Sequence, residues 1–262
     1  MESPWTFTSL TSPESPARLT PDREIDWTSG AQALDSHLSK IDTYAPLTGS
    51  PLAVIGLFRR AGSLLEAWAG ANGAKIVEPP PIAALFDGTA KPWPQIHADN
   101  DAVFVIPHLE RCFFRHYHGL QWVRQLIESA WNKPNRLLIG CDAWSWTYLE
   151  QAVQVDALCA DPITASPLLA LASDSKVDIE PFGPDQRNHV FVLHTLLVHD
   201  GVPAAVLPRL LPFQTTQILK TLADLRGRHL VHEVGGAWRV TLSYYPAVRR
   251  QLAAAGFWIS KH

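Results

Sequence analysis

The sequence predicts an α/β protein: a parallel sheet with helices on both faces, followed by a smaller C-terminal domain. Strand-like and helix-like segments alternate from Leu52 to about residue 150, and the strand candidates are continuous apolar runs, as in strands buried on both faces. Near the C-terminus, three helical segments precede two alternating strands joined by Gly235-Gly236. With 262 residues and 47% apolar content, the chain can fill one large or two modest cores.

Composition divides the chain into three segments. Residues 1–29 are rich in Ser, Thr and Pro and predict a flexible arm, residues 30–186 hold the α/β domain, and residues 187–262 hold the smaller domain. There is no long apolar run and no basic-then-apolar leader, so we expect neither a membrane span nor a secretory signal. Three scattered cysteines predict neither a disulfide framework nor a zinc cluster, which favours a reducing, cytoplasmic setting.

The elements of the α/β domain follow one another in a simple order. A strand begins at Leu52, and the helix after it ends at Gly73, a residue type favoured at helix C-termini. In order, we predict a strand over 52–56, a helix over 63–71, a strand over 74–77, a proline-punctuated connection over 78–93, a strand over 102–106, a helix over 120–131, a strand over 136–140 and a helix from residue 143.

The turn after the first strand has the frame of a phosphate-binding loop. Such a loop reads G-x-x-x-x-G-K-S/T, because its backbone N–H groups surround the phosphates, its lysine reaches the outer oxygens and its hydroxyl holds magnesium. Gly56 opens the pattern and Ser63 supplies the hydroxyl. However, Ala61 replaces the second glycine and Gly62 replaces the lysine. The loop therefore lacks its charge.

A second altered motif follows the strand over 102–106. An ATPase of this kind needs a carboxylate there to hold magnesium. The chain has Pro107 and His108 instead, and neither replaces a carboxylate for a hard cation. Glu110, two residues further on, is an alternative, displaced acid.

A third polar position follows the strand over 136–140. Asp142 is the charged candidate for a residue that senses a bound phosphate. The alternative is that Asp142 caps the helix that begins at Ala143, a role in which aspartate is common.

Taken with these motifs, residues 52 to about 150 resemble a degenerate P-loop NTPase domain, nearest to the AAA and STAND-type ATPases. The resemblance rests on the element order and on the positions of the two altered motifs. It implies an ATPase fold. The departures at Ala61, Gly62, Pro107 and His108 imply that phosphate and magnesium handling is lost, so we expect no catalytic residue, no cofactor and no bound metal.

The last 76 residues resemble a winged helix, a domain that many AAA and STAND ATPases carry after the nucleotide domain. We predict helices over 189–199, 202–211 and 213–226, strands over 229–234 and 237–241, and a final helix over 245–255. Residues 187–262 contain nine Lys or Arg against three Asp or Glu, whereas the rest of the chain contains 13 against 22. A basic domain beside an acidic body is compatible with DNA contact. The candidate contacts to DNA or a partner are Gln214, Gln217, Lys220 and Arg239.

A further cluster combines His116 and His118 with His108 and Cys112. Imidazole and thiolate are good zinc ligands, but no second paired motif accompanies them, so we expect a surface or interface cluster and no metal.

We expect a non-catalytic pseudo-ATPase that acts as a regulatory or scaffolding subunit with a protein partner such as an active ATPase. Such a subunit can supply charge in trans, through Arg59, Arg60 or Arg115. One alternative is a DNA-binding regulator that uses the winged helix. The other is a nucleotide sensor without hydrolysis, in which Arg59 or Arg60 replaces the lysine.

Overall fold

The structure is a computed structural model that describes residues 51–57, 59–91, 102–130, 136–155, 159–163, 178–180, 182, 186–255 and 257. These residues fall into two compact units, one within residues 21–170 and one within residues 171–262. The predicted flexible arm over 1–29 lies outside the described residues. Within the described part of the chain, no helix has the length and apolar content needed to cross a bilayer.

The first unit alternates strands and helices, as predicted. Its elements are β1 (Leu52–Gly56), α1 (Arg60–Asn72), β2 (Lys75–Ile76), α2 (Ile82–Asp87), β3 (Val103–Ile106), α3 (Tyr117–Ala130), β4 (Arg136–Asp142), α4 (Ala143–Val153) and β5 (Ala160–Ile163). A 3-10 turn, Leu109–Arg111, lies between β3 and α3.

The five strands form one parallel sheet with the order β2-β3-β4-β1-β5. This confirms the α/β class with a parallel sheet. On β1, Leu52 and Val54 point to one face while Ala53 and Ile55 point to the other, and all four are at most 5% exposed. Both faces of this inner strand are therefore covered, which explains its unbroken apolar sequence.

Helix α1 packs on one face of this sheet. Its apolar positions Ala61, Leu64, Leu65 and Ala69 recur at helical spacing and meet Leu52, Val54, Val105 and Leu138 of the central strands. The helix ends where predicted: Gly73 has a φ of 66°, and its N–H donates to the carbonyl of Ala69.

Three features of this unit differ from the predictions, one of which is that α3 begins at Tyr117 and not at Leu120. Helix α1 begins at Arg60, three residues before the expected start at Ser63, so the second half of the expected phosphate loop belongs to the first helical turn. The proline-punctuated connection contains α2, which begins after Pro81 and buries Leu85 and Phe86. A six-residue helix is too short to show a helical period, so tertiary burial decides its conformation.

The second unit contains four helices and a small antiparallel sheet among its described residues. The elements are α5 (Arg187–Val198), β6 (Val202–Pro203), α6 (Leu207–Leu210), α7 (Thr215–Gly227), β7 (Val231–Val234), β8 (Ala237–Val240), a 3-10 turn (Leu242–Tyr244) and α8 (Tyr245–Ala254). The strand order is β6-β8-β7. Gly235 and Gly236 have φ values of 59° and 76°, which confirms the predicted turn between the last two strands.

The prediction of a helix over 202–211 is wrong. Val202 and Pro203 pair with Trp238 and Ala237 of β8, and only Leu207–Leu210 is helical. Pro203 lies on an edge strand of the sheet, where the missing N–H costs nothing. The sequence Gly201-Val202-Pro203 is compatible with both a helix start and an edge strand. The pairing with β8 decided between the two.

Two cysteine thiols in the first unit are buried. Cys112 and Cys141 are 2% and 1% exposed, and burial, reinforced by the nearby Glu110 carboxylate, raises the pKa of both thiols. An unfolded thiol loses its proton near a pH of about 8.5. Above that pH the folded chain binds more protons than the unfolded chain. The free energy of unfolding should then fall by about 1.4 kcal/mol per pH unit for each thiol.

Urea unfolding at pH values of about 7.5 and about 9.5 measures this slope. Cys112→Ala and Cys141→Ala should each make the slope shallower, whatever their own effect on stability. An unchanged slope in both variants would contradict the assignment.

Candidate functional site

The carboxyl ends of three neighbouring strands meet at one edge of the parallel sheet. Gly56 at the end of β1 pairs with Asp142 at the end of β4, and Ile106 at the end of β3 pairs with Ile139. Ligands of open α/β sheets bind outside the carboxyl ends of the strands. The candidate site therefore consists of the loop after Gly56, the segment after Ile106, and Asp142.

The loop after β1 is a tight turn. It contains only three residues before α1, and the backbone N–H of Arg60 donates to the carbonyl of Leu57 at 3.1 Å. Arg59 adopts a left-handed φ of 61°, and its carbonyl accepts from the N–H of Ser63 at 2.9 Å. Two N–H groups that a phosphate loop would direct at its ligand are thus bonded to the loop's own carbonyls.

Gly62, at the lysine position, lies directly against the segment after β3. A Cβ atom on Gly62 would lie 2.1 Å from Cε1 of His108 and 2.5 Å from the carbonyl oxygen of Pro107. A Cβ atom on Gly140 of β4 would lie 2.2 Å from the same oxygen. The two altered motifs therefore fit each other, because the residue at the acid position occupies the space that a lysine at position 62 would need.

His108 is buried, and its ring lies between two carboxylates. Nδ1 is 3.2 Å from Oε1 of Glu110, and Nε2 is 3.4 Å from Oε1 of Glu66. Each ring nitrogen therefore faces a carboxylate oxygen of the same chain. Where a phosphate loop would bring lysine, this chain places an imidazole that contacts its own acids.

Glu110, the alternative acid, is turned into the protein. It is 1% exposed, and its Oε2 accepts from the backbone N–H of Asp142 at 3.3 Å while Oε1 contacts His108. Oδ1 of Asp142 accepts from the N–H of Trp144 at 2.9 Å. This confirms the prediction that Asp142 caps the helix beginning at Ala143.

The three arginines proposed to act across an interface have different surroundings. Arg60 is 4% exposed, so the idea that it reaches a partner is wrong. Arg59 and Arg115 are half-buried, and burial lowers the pKa of Arg115, against the influence of Tyr148, which raises it.

The histidine cluster does not form one helical face. Helix α3 begins at Tyr117, after a 3-10 turn that separates it from His108, and the thiol of Cys112 donates to the carbonyl of His108 at 3.4 Å. His116 instead packs against Phe86, with ring centroids 5.2 Å apart. In the part of the chain that the structure describes, no three His, Cys, Asp or Glu side chains could hold a metal ion.

Of the four candidate contacts in the second unit, three have roles within it. Gln214 and Gln217 form a reciprocal capping box at the start of α7. The guanidinium of Arg239 lies against Gly201, where a Cβ atom would be 2.8 Å from Nε. Lys220 is exposed on α7. The capping box was missed from the sequence, because Gln214 is not a residue type favoured at the N-cap and only Gln217 at N3 fits the usual pattern.

Comparison with known proteins gives weak similarities. No protein-family model matches the chain, and no curated protein matches it. A chain in the structure of Drosophila ORC bound to GC-rich DNA and Cdc6 aligns with a TM-score of 0.33 and 10% identity, covering 90% of this chain and 99% of that chain. A chain in the structure of Drosophila ORC bound to AT-rich DNA and Cdc6 aligns with a TM-score of 0.29 and 12% identity, covering 86% and 96%. Scores below 0.5 do not establish a shared fold, so neither complex is a guide to function.

The sheet and its helices define the class of this protein. It is an α/β protein whose parallel sheet is compatible with a P-loop or other Rossmann-like arrangement. At the carboxyl edge of the sheet, His108 and Glu110 form contacts within the protein.

Proposed function

We propose that this chain is a non-catalytic relative of the P-loop ATPases and works by assembling with a protein partner. The observation that carries the proposal is the packing of His108 against Gly62, which leaves no space for a lysine side chain. A fold whose nucleotide-site positions are occupied by its own side chains can still bind a protein partner through its surface.

Two requirements of phosphoryl transfer, the lysine and the magnesium-holding acid, lack their residues here, although Ser63 keeps the hydroxyl. The lysine position is Gly62, and the N–H groups of Arg60 and Ser63 donate to carbonyls of the loop itself. Glu110 could hold magnesium only by giving up both His108 and the N–H of Asp142. The cost of exposing those buried polar groups would oppose metal binding.

We further propose that the second unit is a winged helix. Its described elements run helix, strand, helix, helix, strand, strand, and the three strands form one antiparallel sheet. Direct use of this unit as a DNA reader has less support, because Gln214, Gln217 and Arg239 are engaged within the unit.

Titration calorimetry with magnesium-ATP and magnesium-ADP tests the absence of a working nucleotide site. At protein concentrations that detect a dissociation constant of about 0.1 mM, we expect no binding heat and no turnover. Circular dichroism on the same sample verifies folding. Binding that Arg59→Ala and Ser63→Ala abolish would overturn the proposal and favour the nucleotide sensor.

A further inference from the structure

Helix α7 and strand β8 form an open groove of about 480 Å³, which we call the α7–β8 groove. It is lined by Leu219, Leu222, Ala223, Arg226, Gly227 and Trp238. We propose that this groove docks an acidic amphipathic helix of a protein partner. The inference rests on the proposed function, because it assigns a surface to the assembly proposed above.

The groove has an apolar centre. Leu222 and Trp238 are 1% and 8% exposed and form its floor, whereas Leu219 at its edge is 49% exposed. Leu219, Ala223 and Arg226 are spaced by four and three residues, so they follow one face of α7. An apolar strip of this kind accepts side chains spaced by three or four residues on a docked helix.

Charge at the groove favours an acidic occupant on the α7 side. Arg226 lines the groove and Lys220 follows Leu219 on the same helix, and both are exposed. Neither side chain has a hydrogen bond or an ion pair with another residue that the structure describes. On the opposite side, the exposed Glu233 pairs with Trp238 across the hairpin and would repel an acid. The acidic face of the docked helix is therefore expected to lie along α7.

An acidic helix fits this groove better than duplex DNA. Specific DNA affinity requires Lys or Arg contacts to many phosphates, whereas Arg226 is the one cation that lines the groove and Lys220 lies beside it on α7. Burial of the half-exposed Leu219 would contribute to docking of an apolar helix face and not to phosphate contact.

Fluorescence anisotropy with the full chain tests the inference. The probe is a labelled peptide of about 18 residues, long enough to form a helix when bound, with leucines at i, i+4 and i+7 and glutamates beside them. A peptide with lysines in place of the glutamates and a duplex of about 20 base pairs are compared at the same salt concentration.

We expect the acidic peptide to bind, and Leu219→Asp to weaken binding at least about tenfold. Arg226→Glu should weaken it similarly and improve binding of the lysine peptide. Val234→Asp is the matched control: Val234 is 50% exposed, and its pairing with Ala237 places it on the hairpin face opposite Trp238. It should leave the affinity unchanged.

Three results would overturn the inference: no binding of the acidic peptide, equal loss in the Val234→Asp control, or tighter binding of duplex DNA that is insensitive to Leu219→Asp. Nucleotide calorimetry on the same preparation separates this failure from failure of the proposed function. If the chain binds neither the peptide nor nucleotide, only the assignment of the groove fails.

Discussion

Gly62→Ala is expected to lower the free energy of unfolding by roughly 3 kcal/mol, at the upper end of overpacking penalties. The added Cβ would lie 2.1 Å from His108 Cε1 and 2.5 Å from the carbonyl oxygen of Pro107. The histidine ring can rotate away, but the carbonyl belongs to the backbone, so the strand end must shift. Urea unfolding of the wild type and the variant measures the difference.

Gly70→Ala is the matched control in the same helix. A Cβ atom on Gly70 has nothing within 4 Å, so this variant should gain up to about 1 kcal/mol from helix propensity. If Gly62→Ala behaves like Gly70→Ala, the packing of His108 described above is wrong. In a Gly62→Ala chain, His108→Ala should not restore the stability, because the carbonyl of Pro107 remains and the buried Glu110 loses its contact with His108.

Glu110→Ala is expected to cost about 3 kcal/mol, the upper end of the range for leaving buried hydrogen-bonding groups without a partner. The variant leaves the N–H of Asp142 and Nδ1 of His108 without their acceptor in a region where Glu110 is 1% exposed. Thermal and urea unfolding of the purified variant measure the loss.

Glu66→Ala is the matched comparison, because Glu66 contacts the same imidazole from an exposed position. The Glu66 side chain is 47% exposed, so its contact with His108 should contribute at most about 1 kcal/mol. Glu110→Gln keeps the shape and an acceptor for the N–H of Asp142, so it should cost less than Glu110→Ala. Equal losses in Glu66→Ala and Glu110→Ala would contradict a buried role for Glu110.

The contact between Gly62 and His108 also bears on function. Introducing lysine alone, as Gly62→Lys, should destabilise the fold without creating nucleotide binding, because His108 and Pro107 occupy the space around its Cβ. Recovering a phosphate site would require changes in both motifs and in the three-residue loop. The residues at these two positions form one packed unit.

Much of the local structure could be predicted from the sequence. Continuous apolar runs predicted β1, β3 and β4, and Gly73 and Gly235-Gly236 predicted a helix end and a turn that the φ values confirm. The sequence left two interpretations of Asp142. The hydrogen bond that its side chain accepts from the N–H of Trp144 supports the helix cap. These features depend on residues close together in the chain, whose backbone preferences act locally.

Tertiary structure alone decided the features on which the functional proposal depends. The strand order, the short strand at Val202–Pro203, the inward turn of Glu110 and the burial of Arg60 all depend on partners distant in sequence. The sequence by itself determined that the lysine and the acid are missing. That His108 occupies the space beside Gly62 follows only from packing, because residues 46 positions apart have no local pattern that relates them.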